Sequence, residues 1–287
     1  MSGEAAARAA LERVLAGSTA SRTAEVAPLP GGTHNRSWLV TFANGRKAVL
    51  RLPMTYSNAL LDITAEARAV TAAAGIGIAP AVVAVDAAAG GLLTEYRAGA
   101  RWRSADVHRA ANVERLAAVL RVLHSLPTEL PTFAAEQIAK RYLAELPRDL
   151  VEPSAREWGD ELMTLTRRYD ERYEPTAFCH NDLVAANVLD DGALALVDFE
   201  YAARAAPQLD LANLAAMNGF DAVEQRALLA VYRRAAPTSV ELAELAWLVR
   251  MVSLMAWFWA LLGAAGTEEK SRYEPYLAEL GTHLRRP

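Results

Sequence analysis

Three oxygen-bearing side chains follow one another at a distinctive spacing in the C-terminal half of the chain. Asp182 is followed five residues later by Asn187, and Asp198 stands eleven residues beyond Asn187. A loop carboxylate can accept the proton of a hydroxyl group, and carboxylate and amide oxygens are suitable ligands for Mg²⁺. Transfer of a phosphoryl group from ATP needs these groups together. The pattern therefore predicts Asp182 as a catalytic base and Asn187 with Asp198 as metal ligands.

The neighbours of these residues are compatible with the same chemistry. His180 precedes Asp182 by two residues, and we expect it to brace the loop by hydrogen bonding. Glu200 is expected to support a second metal ion or its water shell. A single Asp or Asn most often caps a turn, so it is the combined spacing that favours a site. Cys179 is expected to be a buried structural thiol rather than a nucleophile.

The elements that would position these residues change in kind along the chain. Apolar runs joined by the turn Asn44-Gly45 predict strands before residue 97, with one helix among them. These are the strands at 37–42, 48–52, 81–85 and 91–96 and the helix at 62–74. Helical spacing follows at 112–125, 136–145, 157–172, 221–235 and 240–265, with short strands at 177–179, 188–189 and 193–197. We therefore expect an α+β fold of two lobes, a small β-rich lobe of residues 1–96 and a larger, mainly helical lobe of residues 97–287.

Size and composition exclude several classes of protein. The 287 residues suffice for two lobes, and a net charge of −4 provides no basic field for nucleic acid, so a small cationic molecule is the expected partner. The single cysteine excludes an intrachain disulfide, and with no signal-peptide pattern it predicts a cytoplasmic protein. The uncharged run at 251–267 approaches the length of a membrane helix, but burial in the larger lobe explains it better, and we expect no membrane insertion.

The motifs around residue 190 resemble those of a known family. His-Asn-Asp at 180–182, Asn at 187 and Asp-Phe-Glu at 198–200 resemble the catalytic and metal loops of the choline/ethanolamine kinases within the aminoglycoside phosphotransferase superfamily. The resemblance implies a protein-kinase-like fold and a kinase that uses ATP and Mg²⁺. The runs at 198–202 and 210–213 are more similar to the choline-type enzymes than to the antibiotic kinases, which usually have Gly or Asp where Glu200 stands. Asp210 would then brace the catalytic loop; its alternative role is to cap the helix after Pro207, and the two roles are compatible.

The β-rich lobe resembles the nucleotide-binding half of these kinases. Its first loop is similar to their phosphate-covering loop, and the expected phosphate contacts there are Gly31, Gly32, Thr33 and Asn35. Choline kinases carry an arginine where protein kinases have a strand lysine, so Arg51 is expected to bind phosphate, with Lys47 as runner-up. Glu66 is the expected partner of Arg51, or else a solvated surface charge. Glu95 and Tyr96 end a strand in a hinge whose backbone would bind adenine.

Aromatic side chains near the C-terminus offer a place for a cationic acceptor. Trp257 resembles a cage tryptophan of the choline kinases, and Tyr276 and Tyr201 fall near two further cage positions. Trp259 is rotated by about 200° from Trp257 on a helix, so at least one of the two belongs to the core. We therefore expect transfer of the γ-phosphate of ATP to a hydroxyl of choline, ethanolamine or a similar amino alcohol.

Other functions stay open at the level of sequence. An aminoglycoside or another antibiotic is the second acceptor that the superfamily suggests, and thiamine or a sugar is the third. A pseudokinase that binds nucleotide or a partner without turnover is an alternative of a different class. A metal hydrolase built on His180, Asp182 and Asp198 would release phosphate without any acceptor.

Overall fold

The structure is a computed structural model of the chain, and it describes residues 3–29, 35–53, 62–127, 129–147, 153–266 and 270–285. The chain divides into two compact units, neither of which is continuous in sequence. The first comprises Met1–Arg101, Thr128–Leu130 and Asn187–Ala202; the second comprises Trp102–Pro127, Pro131–Ala186 and Ala203–Pro287. The lobe boundary expected between residues 96 and 97 stays a prediction.

The first unit is built on a five-stranded antiparallel sheet with the strand order β1-β2-β3-β5-β4. Its strands are β1 (Glu25–Leu29), β2 (Asn35–Thr41), β3 (Lys47–Pro53), β4 (Val82–Asp86) and β5 (Gly91–Glu95). Gly45, at φ 82°, makes the tight turn between β2 and β3 that the Asn-Gly pair predicts. Alternate residues of these strands, among them Val40, Leu50 and Leu93, are fully buried. The sheet therefore has one face packed in a core.

Helices cover this sheet and a small hairpin completes the unit. The helices are α1 (Gly3–Val14), α2 (Thr19–Thr23) and α3 (Ile63–Ala74), and α1 packs Leu11 and Val14 into the core of the sheet. Asp62 begins α3 as its N-cap, because its side chain accepts hydrogen bonds from the first-turn amides of Thr64 and Ala65. A second sheet joins β6 (Ala100–Arg101) to the hairpin β8 (Val188–Asp190) and β9 (Leu194–Leu196).

The second unit is mainly helical, and with the sheet-bearing first unit it confirms the expected α+β class. Its helices are α4 (Ser104–Val107), α5 (Ala110–His124), α6 (Ala135–Glu145), α7 (Pro153–Arg172), α8 (Pro207–Met217), α9 (Ala222–Arg233), α10 (Ser239–Gly266) and α11 (Glu274–Leu284). Two short strands, β7 (Ala177–Cys179) and β10 (Ala203–Ala205), pair antiparallel. Helix α8 is the most enclosed of the helices near these strands, with every residue from Leu209 to Ala216 buried.

Helix α10 is the long apolar helix that the uncharged run predicts. Among the described residues it has the length and apolarity of a membrane span, yet half of its most apolar stretch is buried inside the structure. Leu254, Phe258 and Leu262 pack there against residues of α6 and α7, including Trp158. Arg250 on the same helix holds both oxygens of Glu161, at 2.8 and 2.7 Å. Packing of this kind is typical of the central helix of a folded unit.

Candidate active site

Arg51 lies at the centre of a cluster of carboxylates within the first unit. Its Nη1 donates a hydrogen bond of 2.6 Å to Asp198 and one of 3.1 Å to Glu200, while its Nη2 pairs with Glu66. The side chains are enclosed, with exposed fractions of 13% for Arg51, 4% for Glu66 and 5% for Glu200. One guanidinium group, with its fork of donors, thus serves three acidic groups, one on α3 and two in the segment that follows β9.

The cluster holds three carboxyl groups and one guanidinium group. Burial raises the pKa of Glu66 to about 7, and the attraction of Arg51 only partly opposes it. Burial and then the repulsion of Asp198 raise the pKa of Glu200 to about 8, although Arg51 and Asn35 stabilise its ionised form. Asn35 does so by donating a hydrogen bond of 2.6 Å from its amide nitrogen. Such a concentration of buried carboxylate oxygen is a suitable environment for a divalent cation.

The hairpin of β8 and β9 places two of the predicted metal ligands at the same end. Val188 of β8 pairs with Leu196 of β9, and Val197 donates a hydrogen bond of 3.0 Å to the carbonyl of Asn187. Asn187 therefore enters the hairpin where Asp198 leaves it. Asp198 adopts φ 67°, a left-handed conformation that Asp tolerates better than most residues. The oxygen donors of Asn187, Asp198 and Glu200 are of the hard type that suits Mg²⁺.

The other predicted nucleotide residues have different surroundings. Gly31, Gly32 and Thr33 lie outside the described residues, so their contacts with phosphate stay a prediction. Lys47, the runner-up to Arg51, is exposed, with its Nζ 5.9 Å from the ring of Tyr96. The Glu95 amide donates to Ala81 and the Tyr96 amide to Lys47. Because both amides already have acceptors, a backbone hydrogen bond from Glu95 or Tyr96 to adenine would use a carbonyl oxygen.

In the second unit, the loop that carries Asp182 is anchored on Asp210. The carboxylate of Asp210 accepts hydrogen bonds from the amides of His180 at 2.8 Å and Asn181 at 2.7 Å. The Asp182 amide in turn lies 3.3 Å from His180 Nδ1, which accepts its hydrogen. The alternative role of Asp210 as a helix cap is wrong. Helix α8 is capped at Ala206, and Asp210 sits within its first turn with its side chain fully enclosed.

A buried histidine that the sequence analysis missed completes this anchor. His124 Nε2 lies 3.0 Å from Asp210, and Nδ1 lies 2.7 Å from the Tyr232 hydroxyl. Since a carboxylate only accepts, Nε2 donates to Asp210. No motif marks His124, because it is one of several polar residues near the end of a helix. The signal lies only in its burial, which the sequence does not reveal.

Cys179 lies beside His124 and Asp210, and the three offer metal-ligand atoms within 4.8 Å of one another. Burial, followed by the proximity of Asp210, raises the pKa of the Cys179 thiol well above its ordinary value. The thiol instead donates weakly to the carbonyl of Ala206 at 3.5 Å. All three groups have hydrogen-bond partners, so they form a buried structural network.

Comparison with known proteins decides the family. The model of the phosphotransferase enzyme family called APH matches residues 25–248, well over half of the chain. This chain is a member of the APH phosphotransferase family. Comparison with curated protein sequences gave no significant match.

Solved structures show which folds this phosphotransferase resembles. A choline/ethanolamine kinase family protein from Mesorhizobium loti aligns with a TM-score of 0.76 at 23% identity, over 99% of this chain and 95% of the other. The choline kinase LicA from Streptococcus pneumoniae aligns at 0.75 and 19% identity, over 97% and 99% of the two chains. The macrolide 2′-phosphotransferase MphH from Brachybacterium faecium aligns at 0.58 and 19%, over 89% and 91%. These likenesses confirm the expected kinase-like fold.

The aromatic residues of this phosphotransferase fall into two groups within the second unit. Trp257 and Trp259 are both half-buried against the apolar core of α6, α7 and α10, but their rings have different partners. The ring of Trp257 meets Trp158 edge to face, with centroids 4.9 Å apart. The ring of Trp259 instead meets Tyr273 at 5.5 Å and Tyr276 at 5.8 Å. Tyr276 thus contacts Trp259, and the expectation that Trp257 and Tyr276 line an acceptor site stays a prediction. Tyr201, in the first unit, is half-buried.

Proposed function

We propose that this phosphotransferase is an ATP-dependent kinase that transfers the γ-phosphate to a hydroxyl of choline, ethanolamine or a similar amino alcohol. The observation that carries the proposal is the buried Arg51, held by Glu66 and shared with Asp198 and Glu200. A fixed guanidinium suits the phosphates of a nucleotide, and the carboxylates suit the cation that accompanies them. LicA, one of the structural relatives, has also been solved in complex with AMP.

Each residue has a role in this proposal. Asp182 accepts the proton of the acceptor hydroxyl as the hydroxyl oxygen attacks the γ-phosphate. Asp210 and His180 hold the loop that carries Asp182. Arg51 binds phosphate oxygens, and Glu66 keeps its guanidinium oriented. Asn187, Asp198 and Glu200 would hold Mg²⁺. When bound, Mg²⁺ would neutralise negative charge on the phosphates.

The acceptor is proposed to be cationic because aromatic faces attract quaternary and protonated amines. Trp259 and Tyr276 provide two such faces in edge-to-face contact, with ring centroids 5.8 Å apart. The net charge of −4 favours a cationic ligand over an anionic one. Two of the structural relatives described above are named as choline or ethanolamine kinases. We also propose a cytoplasmic location, from the single cysteine.

A macrolide or another antibiotic is the second candidate acceptor. The likeness to MphH favours it, although its TM-score of 0.58 is below the 0.76 of the choline/ethanolamine kinase family protein. An antibiotic kinase needs a site for a much larger sugar-bearing molecule. Phosphorylation of an antibiotic and not of choline would establish this alternative.

Turnover with a panel of acceptors tests the proposal. ADP release would be followed with choline, ethanolamine, thiamine, kanamycin, a macrolide or no acceptor, and the phosphorylated product identified by mass spectrometry. We expect choline or ethanolamine to give the highest kcat/KM. ADP release at the same rate without acceptor would identify a hydrolase, and nucleotide binding with no ADP release would identify a pseudokinase.

Two substitutions separate the proposed roles. Asp182→Asn should lower kcat by about 10²- to 10⁴-fold while the Kd for ATP changes little, since a base acts only in the chemical step. Asp198→Asn should weaken Mg²⁺-dependent ATP binding as well. The control for both is Asp191→Asn, which removes a carboxylate that lies in the first unit with Asp198 and is paired with Arg97 on the surface. Near-normal turnover by Asp182→Asn would contradict the assignment of the base.

A further inference from the structure

One carboxamide bridges the two peptide groups that flank Asp182. The Leu183 amide, just after Asp182, donates a hydrogen bond of 2.6 Å to Asn213 Oδ1. The Asn213 Nδ2 donates one of 3.0 Å to the carbonyl of Asn181, just before Asp182. Asn213 lies on α8 with an exposed fraction of 8%. Its side chain therefore spans the backbone of Asp182.

This bridge restricts the backbone of the residue that it spans. With the carbonyl before Asp182 and the amide after it attached to one rigid group, the backbone dihedrals of Asp182 have little freedom. The direction of its Cα–Cβ bond is then fixed. The preceding residue, Asn181, adopts φ 62°, a left-handed conformation that needs such support from its surroundings. The two Asp210 bonds end at the Asn181 amide and do not reach beyond Asp182.

Helix α8 repeats the same arrangement at its C-terminal end. Asn218 Oδ1 accepts a hydrogen bond of 3.1 Å from the Ala185 amide, and its Nδ2 donates one of 2.8 Å to the carbonyl of Leu183. Two carboxamides of one helix thus hold successive peptides of the loop. Buried backbone groups of an irregular loop need such partners, because an unpaired one costs about 1–3 kcal/mol.

The chemistry of the bridge is specific to a carboxamide. Asn offers an acceptor and a donor on one planar group, whereas an ionised Asp of the same shape only accepts. An Asp at position 213 would keep the bond from Leu183 and lose the one to Asn181. A protonated Asp would restore both, since its hydroxyl donates and its carbonyl accepts. Leu has a similar volume and offers neither.

We propose that Asn213 is a positioning residue that sets the direction of the Asp182 carboxylate toward the acceptor hydroxyl. The inference rests on the proposed function, in which Asp182 is the base. It adds a residue to the reaction that acts through the backbone on both sides of Asp182. Loss of the bridge lets Asp182 turn away from the hydroxyl, which lowers the rate of proton acceptance and not the affinity for ATP.

The test compares Asn213→Asp and Asn213→Leu with the wild-type protein between pH 6 and 9. At pH 9 we expect each variant to lower kcat by about 10- to 100-fold, with KM for ATP within about twofold of wild type. The ratio of Asn213→Asp to wild-type kcat should rise as the pH falls, because protonation restores the missing donor. The same ratio for Asn213→Leu should stay constant. A purely structural defect would not produce this difference in pH dependence.

The matched control is Asn112→Asp in the same unit. Asn112 Nδ2 donates a bond of 2.9 Å to the carbonyl of Asp106, so the control also removes one bond from a carboxamide to a carbonyl. Its kcat should stay within about twofold of wild type. Wild-type kcat in both Asn213 variants across this pH range would overturn the inference. If Asn213→Leu does not fold, the pH profile of Asn213→Asp decides alone.

Failure of the proposed function has a different signature, which is the absence of turnover by the wild-type protein with every acceptor. Hydrogen exchange of the peptide covering residues 181–185 then decides the inference. Exchange of the Leu183 amide should accelerate in Asn213→Leu and stay unchanged in Asn112→Asp. Unchanged exchange in Asn213→Leu would overturn the bridge itself.

Discussion

Arg51 donates a hydrogen bond of 2.6 Å to Asp198, so the proposed phosphate-binding cation is paired with a proposed metal ligand. The same Nη1 atom also reaches Glu200 at 3.1 Å. Arg51 thus compensates part of the negative charge that a bound cation would otherwise balance. Removing either partner leaves charge in an enclosed space, which is costly.

Substitution of Arg51 should destabilise the first unit strongly. We expect Arg51→Met to lower the free energy of unfolding by about 3–5 kcal/mol, because it leaves buried carboxylates without a counter-ion. Urea denaturation measures this. The control, Arg46→Met, removes an arginine of the same unit whose pair with Glu95 is exposed at 65% and 52%. Its cost should be below about 1 kcal/mol. Equal costs for both variants would show that the Arg51 cluster adds no stability.

The pKa of Glu66 makes the stability of the cluster depend on pH. Its pKa is raised in the folded protein to about 7, so the folded state holds a proton that the unfolded chain releases at lower pH. This contribution is fully present below pH 4.5 and is lost as the pH rises through 7. In Glu66→Gln this titration is absent. The difference in free energy of unfolding, wild type minus Glu66→Gln, should therefore fall between pH 5 and 8. A difference that rises over this range would contradict the assignment.

Substitutions in the two aromatic groups should have different effects. Trp259→Leu or Tyr276→Leu should raise KM for choline by about 5- to 30-fold, which corresponds to about 1–2 kcal/mol of lost cation–π attraction. Trp257→Leu should instead lower the melting temperature, because Trp257 packs on Trp158, and leave KM for choline near wild type. Steady-state kinetics and thermal unfolding of the purified variants distinguish these outcomes. An effect of Trp257 alone on KM would assign the acceptor site to the other group.

Cys179 should be inert in the folded protein. Its side chain is fully buried, and burial with the nearby Asp210 raises the pKa of the thiol, so the reactive thiolate is scarce. We expect 5,5′-dithiobis(2-nitrobenzoic acid) to react with Cys179 about 100-fold more slowly in the native protein than in urea. Local opening of the structure around the thiol would then limit the rate of reaction. Cys179→Ala should keep wild-type turnover. Rapid labelling under native conditions would show that β7 opens readily.

Local sequence signals predicted most elements of the sheet-bearing unit. The Asn-Gly turn and the alternating apolar residues indicated β2 and β3, and the structure has strands at Asn35–Thr41 and Lys47–Pro53. Asp62 marks the start of α3, where its side chain caps the helix. These signals act between residues close in sequence, and for that reason they can be read from one chain.

Pro207 indicated the start of α8, but the sequence did not indicate how the rest of the helix packs. Its residues from Leu209 to Ala216 are buried on all sides, so no polar face reveals the helical period. Asn213 on α8 and His124 on α5 are both buried, and the sequence does not reveal the role of either one. Their partners stand 30 and 86 residues away in the chain, at Leu183 and Asp210. Only the packing of α5 and α8 around the loop brings them together.

The orientation of the aromatic residues also needed the packing of helices. Helical geometry shows that Trp257 and Trp259 face different ways, but not which of them meets Tyr276. Gly263 contributes to the outcome, because a Cβ atom there would lie 2.2 Å from the ring of Tyr273. A larger residue would displace the ring that flanks Trp259. This steric relationship joins α10 to the segment before α11.

The hydrogen bonds from α8 to the loop that carries Asp182 also limit how the helix can change in length. Each residue turns a helix by about 100°, so deleting one residue between Asp210 and Asn218 would rotate the downstream carboxamides away from their peptides. Substitutions can be compensated by neighbours, but such a rotation cannot. Insertions and deletions among related chains should therefore gather elsewhere, for example at the hairpin turn of Gly192, where nothing lies within 4 Å of an added Cβ atom.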